Sequence, residues 1–279
     1  FEYHGSIVLK EGSVIDPGKA RQNHMQRLMN RVRARCKDLG LPCRLLNLKP
    51  RQKGSTTYTG AWCYHDMRRK RTSACVIGGQ YSQTENAWAI IKHYHAKDTF
   101  DWKNSGAINS EKGEFTNGSK LEPETAGDRD AGRSGTFQFL LATEVARWAK
   151  EGVVEASKIL SGALKCVPLL PDTVIVLETT ANGANGDFYE RWGNAVDAED
   201  FLAGKDIMPG TYVRLFTPWF VFSDSAVRLT PQQKIHVQET IDRLPMYQGE
   251  QELIDIYGNS DGPGGTLRLG TVVDDFDLW

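Results

Sequence analysis

The stretch from Leu45 to Thr57, read as Leu45-Leu46-Asn47-Leu48-Lys49-Pro50-Arg51-Gln52-Lys53-Gly54-Ser55-Thr56-Thr57, constrains the fold more than any other. An apolar run with the character of a strand feeds a basic, glycine-containing turn that ends in hydroxyls. Behind it, Thr57-Tyr58-Thr59-Gly60-Ala61-Trp62 opens a helix. Strand, turn and helix in that order form a phosphate cradle, because backbone N–H groups and the positive end of the helix macrodipole converge on the anion. The usual phosphate-loop pattern, G-x-x-x-x-G-K-[ST], puts Gly54 on its second glycine and Thr56 on its magnesium hydroxyl. Its other two anchors are absent: Lys49 stands at the first glycine and Ser55 at the lysine. A basic surface turn between a buried strand and a helix is the competing reading, and the rest of the chain has to decide.

Around that stretch the chain reads as alternating strands and helices, the rhythm of a parallel sheet. Lys19 to Leu39 has helical spacing, with Met25, Leu28, Met29 and Val32 on one face and several arginines elsewhere, and Gly40-Leu41-Pro42 stops it. Ser73 to Gly79 is strand-like and Ser82 to Lys97 helical. The basic run Arg68-Arg69-Lys70-Arg71 suits DNA phosphates and equally a solvated helix end, where cations complement the dipole. In the polar, glycine-rich segment 100–130, Asn117-Gly118 predicts a hairpin and an antiparallel extension of the sheet. A loop over 126–135 follows.

Two further apolar runs end in residues able to do chemistry. Thr136 to Glu144 reads as a buried strand that places a carboxylate at its C-terminal end, the ligand edge of parallel sheets. A helix is expected from about Ala146 to Ser157. Thr173 to Glu178 is a second buried strand, running into Thr179-Thr180-Ala181-Asn182-Gly183, whose hydroxyls and amide can hydrogen-bond a phosphate oxygen or a water. A helix at 187–192 and a strand at 212–216 complete the pattern. From Thr230 another helix leads into glycine-rich and then apolar residues.

Composition narrows the class. The 279 residues are 40% hydrophobic and 25% charged with a formal net charge of −1, which suits a globular unit rather than a wholly basic DNA-coating protein. No apolar run reaches the length of a membrane span. The five cysteines are scattered without a C-x-x-C pair, so neither a disulfide framework nor a zinc site is indicated. The chain opens Phe1-Glu2-Tyr3 without a Met and reads as a fragment.

The loop K-x-R-Q-x-G-S-T resembles the deviant Walker A loop of large terminase subunits, the DNA-packaging motor ATPases of tailed bacteriophages. In one branch of that family the phosphate-binding lysine stands at the front of the loop, as Lys49 does. Thr143-Glu144 lies at the Walker B position, with Thr143 where an aspartate is commoner. Thr179-Thr180-Ala181-Asn182-Gly183 resembles the coupling motif, and Thr217-Pro218-Trp219-Phe220 resembles a segment closing the ATPase core. The resemblance runs from about Gln22 to Phe220, with its motifs in family order.

It implies a P-loop NTPase fold of the ASCE, RecA-like type: an α/β architecture with a mainly parallel sheet, an antiparallel extension and a small helical lid. Residues 1–229 would form the core, and 230–279 a lid or linker toward an absent nuclease domain. ATP would sit on Lys49, Pro50, Arg51, Gln52, Lys53, Gly54, Ser55, Thr56 and Thr57, with either Lys49 or Lys53 holding the phosphates. Gln22 would read adenine, with Gln26 as runner-up. Mg2+ would be held by Thr56, Thr143 and Glu144, with Glu144 also the catalytic base. Arg51 in cis, or Arg133 reaching a neighbouring subunit, would stabilise charge, with Arg129 as competitor. Thr179, Thr180, Asn182 and Gly183 would couple phosphate loss to movement. Double-stranded DNA, a portal protein and a small terminase subunit are the implied partners. The expected assembly is a homo-oligomeric ring, a pentamer, in the host cytoplasm, with a monomer as the isolated form. A helicase-like translocase and a non-hydrolysing nucleotide-gated module are the alternatives.

Overall fold

The computed structural model describes residues 7–8, 14–15, 22–98, 112–126, 131, 135–149, 156–222, 230–232, 235 and 239. Two compact units divide the chain, 1–217 and 218–279. In the first, a short antiparallel pair, β1 (Ile7–Val8) with β2 (Val14–Ile15), stands apart from the main sheet. The main sheet comprises β3 (Cys43–Leu48), β4 (Ser73–Gly78), β5 (Gly113–Glu114), β6 (Lys120–Thr125), β7 (Phe139–Thr143), β8 (Val174–Thr179), β9 (Val196–Asp197) and β10 (Val213–Phe216). Its order is β5-β6-β4-β7-β8-β3-β10-β9, and only β5 is antiparallel to its neighbour. The hairpin at Asn117-Gly118 therefore forms as expected, but its second strand, β6, joins β4 in parallel.

Connections between parallel strands are helical, as crossover geometry demands. They are α1 (His24–Asp38), α2 (Ser55–Arg69), α3 (Tyr81–Lys97), α4 (Ala156–Lys165), α5 (Gly186–Gly193) and α6 (Ala198–Ala203). The helix expected over about 146–157 is corrected at its start, where Val145–Arg147 is a single 3-10 turn; positions 156 and 157 belong to α4, and 150–155 lie outside the described residues. Val145 and Trp148 are both buried beside it, so the apolar spacing there serves a packed turn, not a helix face.

Strands β3, β7 and β8 are buried along nearly their whole length, which is why they read as near-continuous apolar runs. One sheet face presents Leu46, Leu140, Ala142, Ile175 and Leu177 to a core shared with Trp148, Leu160 and Phe188. The alternate residues Asn47, Thr143 and Glu178 therefore point to the opposite face. On that face Asn47 meets Met25 and Met29 of α1, its Nδ2 lying 3.6 and 3.7 Å from their sulfurs.

Helix α1 begins with a capping box: the Asn23 side chain accepts from the Gln26 N–H, and the Gln26 side chain accepts from the Asn23 N–H. The same two side chains also hold the loop after β3. Asn23 Nδ2 donates to the Lys53 carbonyl at 2.9 Å, and Gln26 Nε2 to the Gly54 carbonyl at 3.2 Å. Gly54 itself caps α2 in the left-handed region (φ 73°), and a Cβ there would lie 3.0 Å from Gln26 Nε2. Glycine is the residue that meets both conditions.

In the second unit, Trp219–Val221 forms a 3-10 turn after Pro218. Of the helix expected from Thr230, positions 231, 232, 235 and 239 are helical, and the remainder lies outside the described residues.

Asn23→Ala removes both the cap and the tie to Lys53. We expect a loss of about 1–2 kcal/mol in a urea unfolding titration, with nucleotide binding weakened more than in a surface control such as Lys37→Ala.

Candidate active site

Three strands deliver their C-terminal ends to one edge. β3 leads into the loop 49–54 and then α2, β7 leads into Glu144, and β8 into the turn 180–185. β8 lies between the other two, with Asn47 paired to Glu178 and Glu178 paired to Thr143 across the ladder. Helix dipole, loop amides and acid thus share one carboxyl edge, the place where open α/β sheets bind ligands.

Lys49 is buried to 8% exposure although it carries a charge. Its Nζ donates to Glu144 Oε1 at 3.0 Å. Burial pulls the lysine pKa down, but the carboxylates of Glu178 and Glu144 outweigh it and hold the ammonium above its ordinary value. Glu144 mirrors this. Burial pushes its carboxyl up, while Lys49 and the Thr180 backbone and hydroxyl donors together bring it below the ordinary value of 4.5. The Thr180 N–H and hydroxyl both donate to Glu144 Oε2, at 3.2 and 3.1 Å. Glu144 also sits in the left-handed region (φ 53°), uncommon for a residue with a side chain. That backbone bend turns it out of the strand toward the loop lysine.

The turns after β7 and β8 are bound to each other. Thr179 Oγ1 accepts from the Ala146 N–H at 3.3 Å, and Asn182 Nδ2 donates to the Ala146 carbonyl at 2.7 Å. The Thr179 hydroxyl donates to the Thr180 carbonyl, and Gly183 takes a positive φ of 89°. Trp148, fully buried, donates from Nε1 to the Thr143 carbonyl at 2.9 Å and pins the start of this assembly. Any displacement of the turn 180–183 therefore pulls directly on Glu144.

Below the loop, Ser55 and Thr56 both donate hydroxyl hydrogen bonds to the Glu178 carboxylate, one to each oxygen. Asn47 Nδ2 donates to Ser55 Oγ at 2.7 Å. Glu178 is fully buried, and Ser55 is 2% exposed. Neither Glu178 nor Asn47 was singled out from the sequence. Each is a polar residue that an otherwise largely apolar strand buries, and that is the signal that could have found them.

The remaining expected residues divide. Pro50 is half-buried, Arg51 and Gln52 are exposed, and Lys53 is half-buried with its carbonyl on Asn23. The Thr57 carbonyl accepts from the Tyr94 hydroxyl at 2.9 Å. Gln22 is half-buried beside α1, and its carbonyl accepts from Arg27. Gln26 spends its amide on the loop itself. Arg133 and Arg129 lie outside the described residues. In the basic run, Arg68 pairs with Asp98 at 3.3 Å and Lys70 with Asp172 at 3.4 Å, so part of that charge is neutralised within the chain.

Among the described residues no group of three or more His, Cys, Asp or Glu could hold a metal. The donor set at the loop does fit magnesium in another form: hydroxyl and carboxylate oxygens, one or two of which Mg2+ takes while keeping its waters.

Solved structures share this architecture at low identity. The crystal structure of the HK97 bacteriophage large terminase is similar over 81% of this chain and 48% of that one, with a TM-score of 0.53 and 11% identity. The fold is that of the matched part of a phage large terminase. Also similar are the ATPase domain of the Thermus phage P74-26 large terminase (15% identity, TM-score 0.46, 81% of this chain and 89% of that one) and a large terminase from a thermophilic bacteriophage (11% identity, TM-score 0.49, 78% and 50%). No family model and no curated protein matches the chain by sequence. At such identities the likeness to large terminases is one of fold alone, a mainly parallel sheet with its helices.

Because the folded carboxyl of Glu144 lies below 4.5, its pairing contributes stability that is complete above that ordinary value and lost as pH falls through the folded one. In Lys49→Met the offset to burial is reduced, and the Glu144 carboxyl titrates at higher pH than in the parent. A carbon-13 NMR titration of glutamate-labelled protein checks this. An unchanged midpoint would show that the pair does not form in solution.

Proposed function

We propose that this chain is the ATPase domain of a large terminase, a motor that hydrolyses ATP to drive double-stranded DNA into a procapsid. The observation that carries the reading is the convergence of Lys49, Glu144 and Thr180 at the carboxyl edge, on a sheet whose fold matches that of a phage large terminase.

In this reading the nucleotide phosphates lie on the loop 49–57, where the amides at the start of α2 and its dipole favour anions. Arriving phosphate competes for Lys49 and draws the ammonium from Glu144. The carboxylate so released keeps the Thr180 donors that orient it, and takes a proton from the attacking water. Thr56, with Thr143 and Glu144 as the other residues the resemblance implies, would hold magnesium, which would supply positive charge to the phosphates. Arg51 lies exposed in the loop for charge stabilisation in cis, and Arg133 of a neighbouring copy could act in trans. Gln22 is assigned to adenine. When the γ-phosphate leaves, Thr180 and Asn182 relay the change through Ala146 and Glu144 toward the DNA-handling parts. Residues 230–279 serve as lid or linker, and in a full-length terminase a nuclease domain would follow. The portal, the small terminase subunit and a ring of copies, taken as a pentamer, complete the motor in the host cytoplasm.

Ser55 at the usual lysine position favours a second reading, a nucleotide-gated module that binds without hydrolysing. Magnesium-dependent ATP hydrolysis over a protein concentration series separates the two. We expect activity that rises more than linearly with concentration, and a loss of roughly 10²–10⁴-fold in Glu144→Gln. Tight ATP binding without turnover at any concentration would favour the gated module, and no ATP binding would sink both.

A further inference from the structure

We infer that Glu178, not Thr143, supplies the carboxylate that anchors the magnesium of the nucleotide, so that the acid lost from the end of β7 is replaced from the strand beside it. This rests on the nucleotide-binding reading of the loop and names its metal ligand.

Thr143 brings no negative charge to the position where an acid would order the waters of a bound cation. The ladder shows where the charge went. Thr143 and Glu178 are directly paired on β7 and β8, and paired residues of parallel strands project from the same face. Moving the acid from one to the other shifts it by a single strand spacing, about 4.8 Å, toward the loop strand. There it meets the loop hydroxyls. Ser55 and Thr56 each donate to one oxygen of the Glu178 carboxylate, which is otherwise sealed from solvent.

Hydroxyl geometry makes this arrangement suited to a cation. A threonine hydroxyl that gives its proton to a carboxylate still has oxygen lone pairs to offer. Thr56, half-buried at the first turn of α2, is held in that state by Glu178. A fully buried carboxylate between two hydroxyls is costly unless matched by positive charge. Lys49 supplies some, since the charge of Glu178 is among those that raise its pKa. Lys49 has its hydrogen bond with Glu144, however, and among the described residues the hydrogen bonds to the Glu178 oxygens come from the neutral Ser55 and Thr56 hydroxyls. A divalent cation at Thr56 would complete the balance. Glu144 is then left to the water, and one acid does not have to serve as metal ligand and base together.

Isothermal titration of ADP into the chain, once with Mg2+ and once with EDTA, tests this without relying on turnover. In the parent, Mg2+ tightens ADP binding. Glu178→Gln keeps the size and the acceptor oxygen for one hydroxyl, and should bind ADP in EDTA within about 3-fold of the parent while losing roughly 10–100-fold of the magnesium-dependent gain. Should Glu178→Gln not fold, Glu178→Asp is read the same way, with the charge retained but withdrawn by one methylene and a smaller loss of the same sign. A full magnesium gain in the variant overturns the inference. So does an equal loss in EDTA and in Mg2+, which would make Glu178 a positioning residue for the loop. A parent chain that binds no ADP under either condition overturns the nucleotide-binding reading itself, and the inference with it.

Discussion

The register of three parallel strands governs everything at this site. β3, β8 and β7 run side by side with Asn47, Glu178 and Thr143 in one row, and each strand ends at the same edge. Parallel pairing has to be stabilised by burial on both faces, and here it is: one face is packed by the cluster around Trp148 and Phe188, the other by α1 and α2. A slip of one residue in β8 would exchange Glu178 for Leu177 or Thr179, turning the carboxylate into the apolar core. The polar row is thus pinned by the apolar residues flanking it.

Charge at this edge is balanced rather than stacked. Lys49 is a buried ammonium facing two carboxylates, Glu144 and Glu178, and each affects its protonation. Such a lysine is held charged across the neutral range and is hydrogen-bonded to Glu144. The pair gives the site a defined geometry. In the proposed function it would also couple the two halves of the chemistry, because the cation assigned to phosphate is the one that restrains the assigned base. A buried pair of this kind is poor evidence for stability, since desolvation consumes much of the Coulomb gain. Its value lies in specifying which groups meet.

Much of this was legible in the amino-acid sequence, and for definite reasons. The strand–turn–helix of 45–62 carries its own punctuation, in Pro50, Gly54 and the hydroxyl run, so the loop could be placed to within two residues of the start of α2. Glu144 was visible because it closes an otherwise apolar run. Glu178 closes one too, yet its meaning depends on which strands flank β8, and strand order is not written in local periodicity. The start of the helix expected at 146–157 differs because Val145 and Trp148 repeat at a spacing that a packed 3-10 turn satisfies as well as a helix does. Gln26 illustrates the same limit. An amide near a phosphate loop reads as a ligand group until its partner is known to be the Gly54 carbonyl.

The unusual loop follows from the same row. Position 55, where most phosphate loops carry lysine, lies 2% exposed beneath the turn, with its side chain between Asn47 and Glu178. A lysine there would have its ammonium beside a buried carboxylate and would be drawn down toward Glu178, away from the phosphates. A small hydroxyl instead fits the space and satisfies the acid. In the proposed function the phosphate-facing cation comes instead from the front of the loop: Lys49 follows β3 directly, its four-carbon stem is buried along the edge, and its ammonium reaches Glu144 across the neighbouring strand. Moving the acid onto β8 and moving the lysine to the front of the loop are therefore two parts of one rearrangement. Each removes the conflict that the other alone would create.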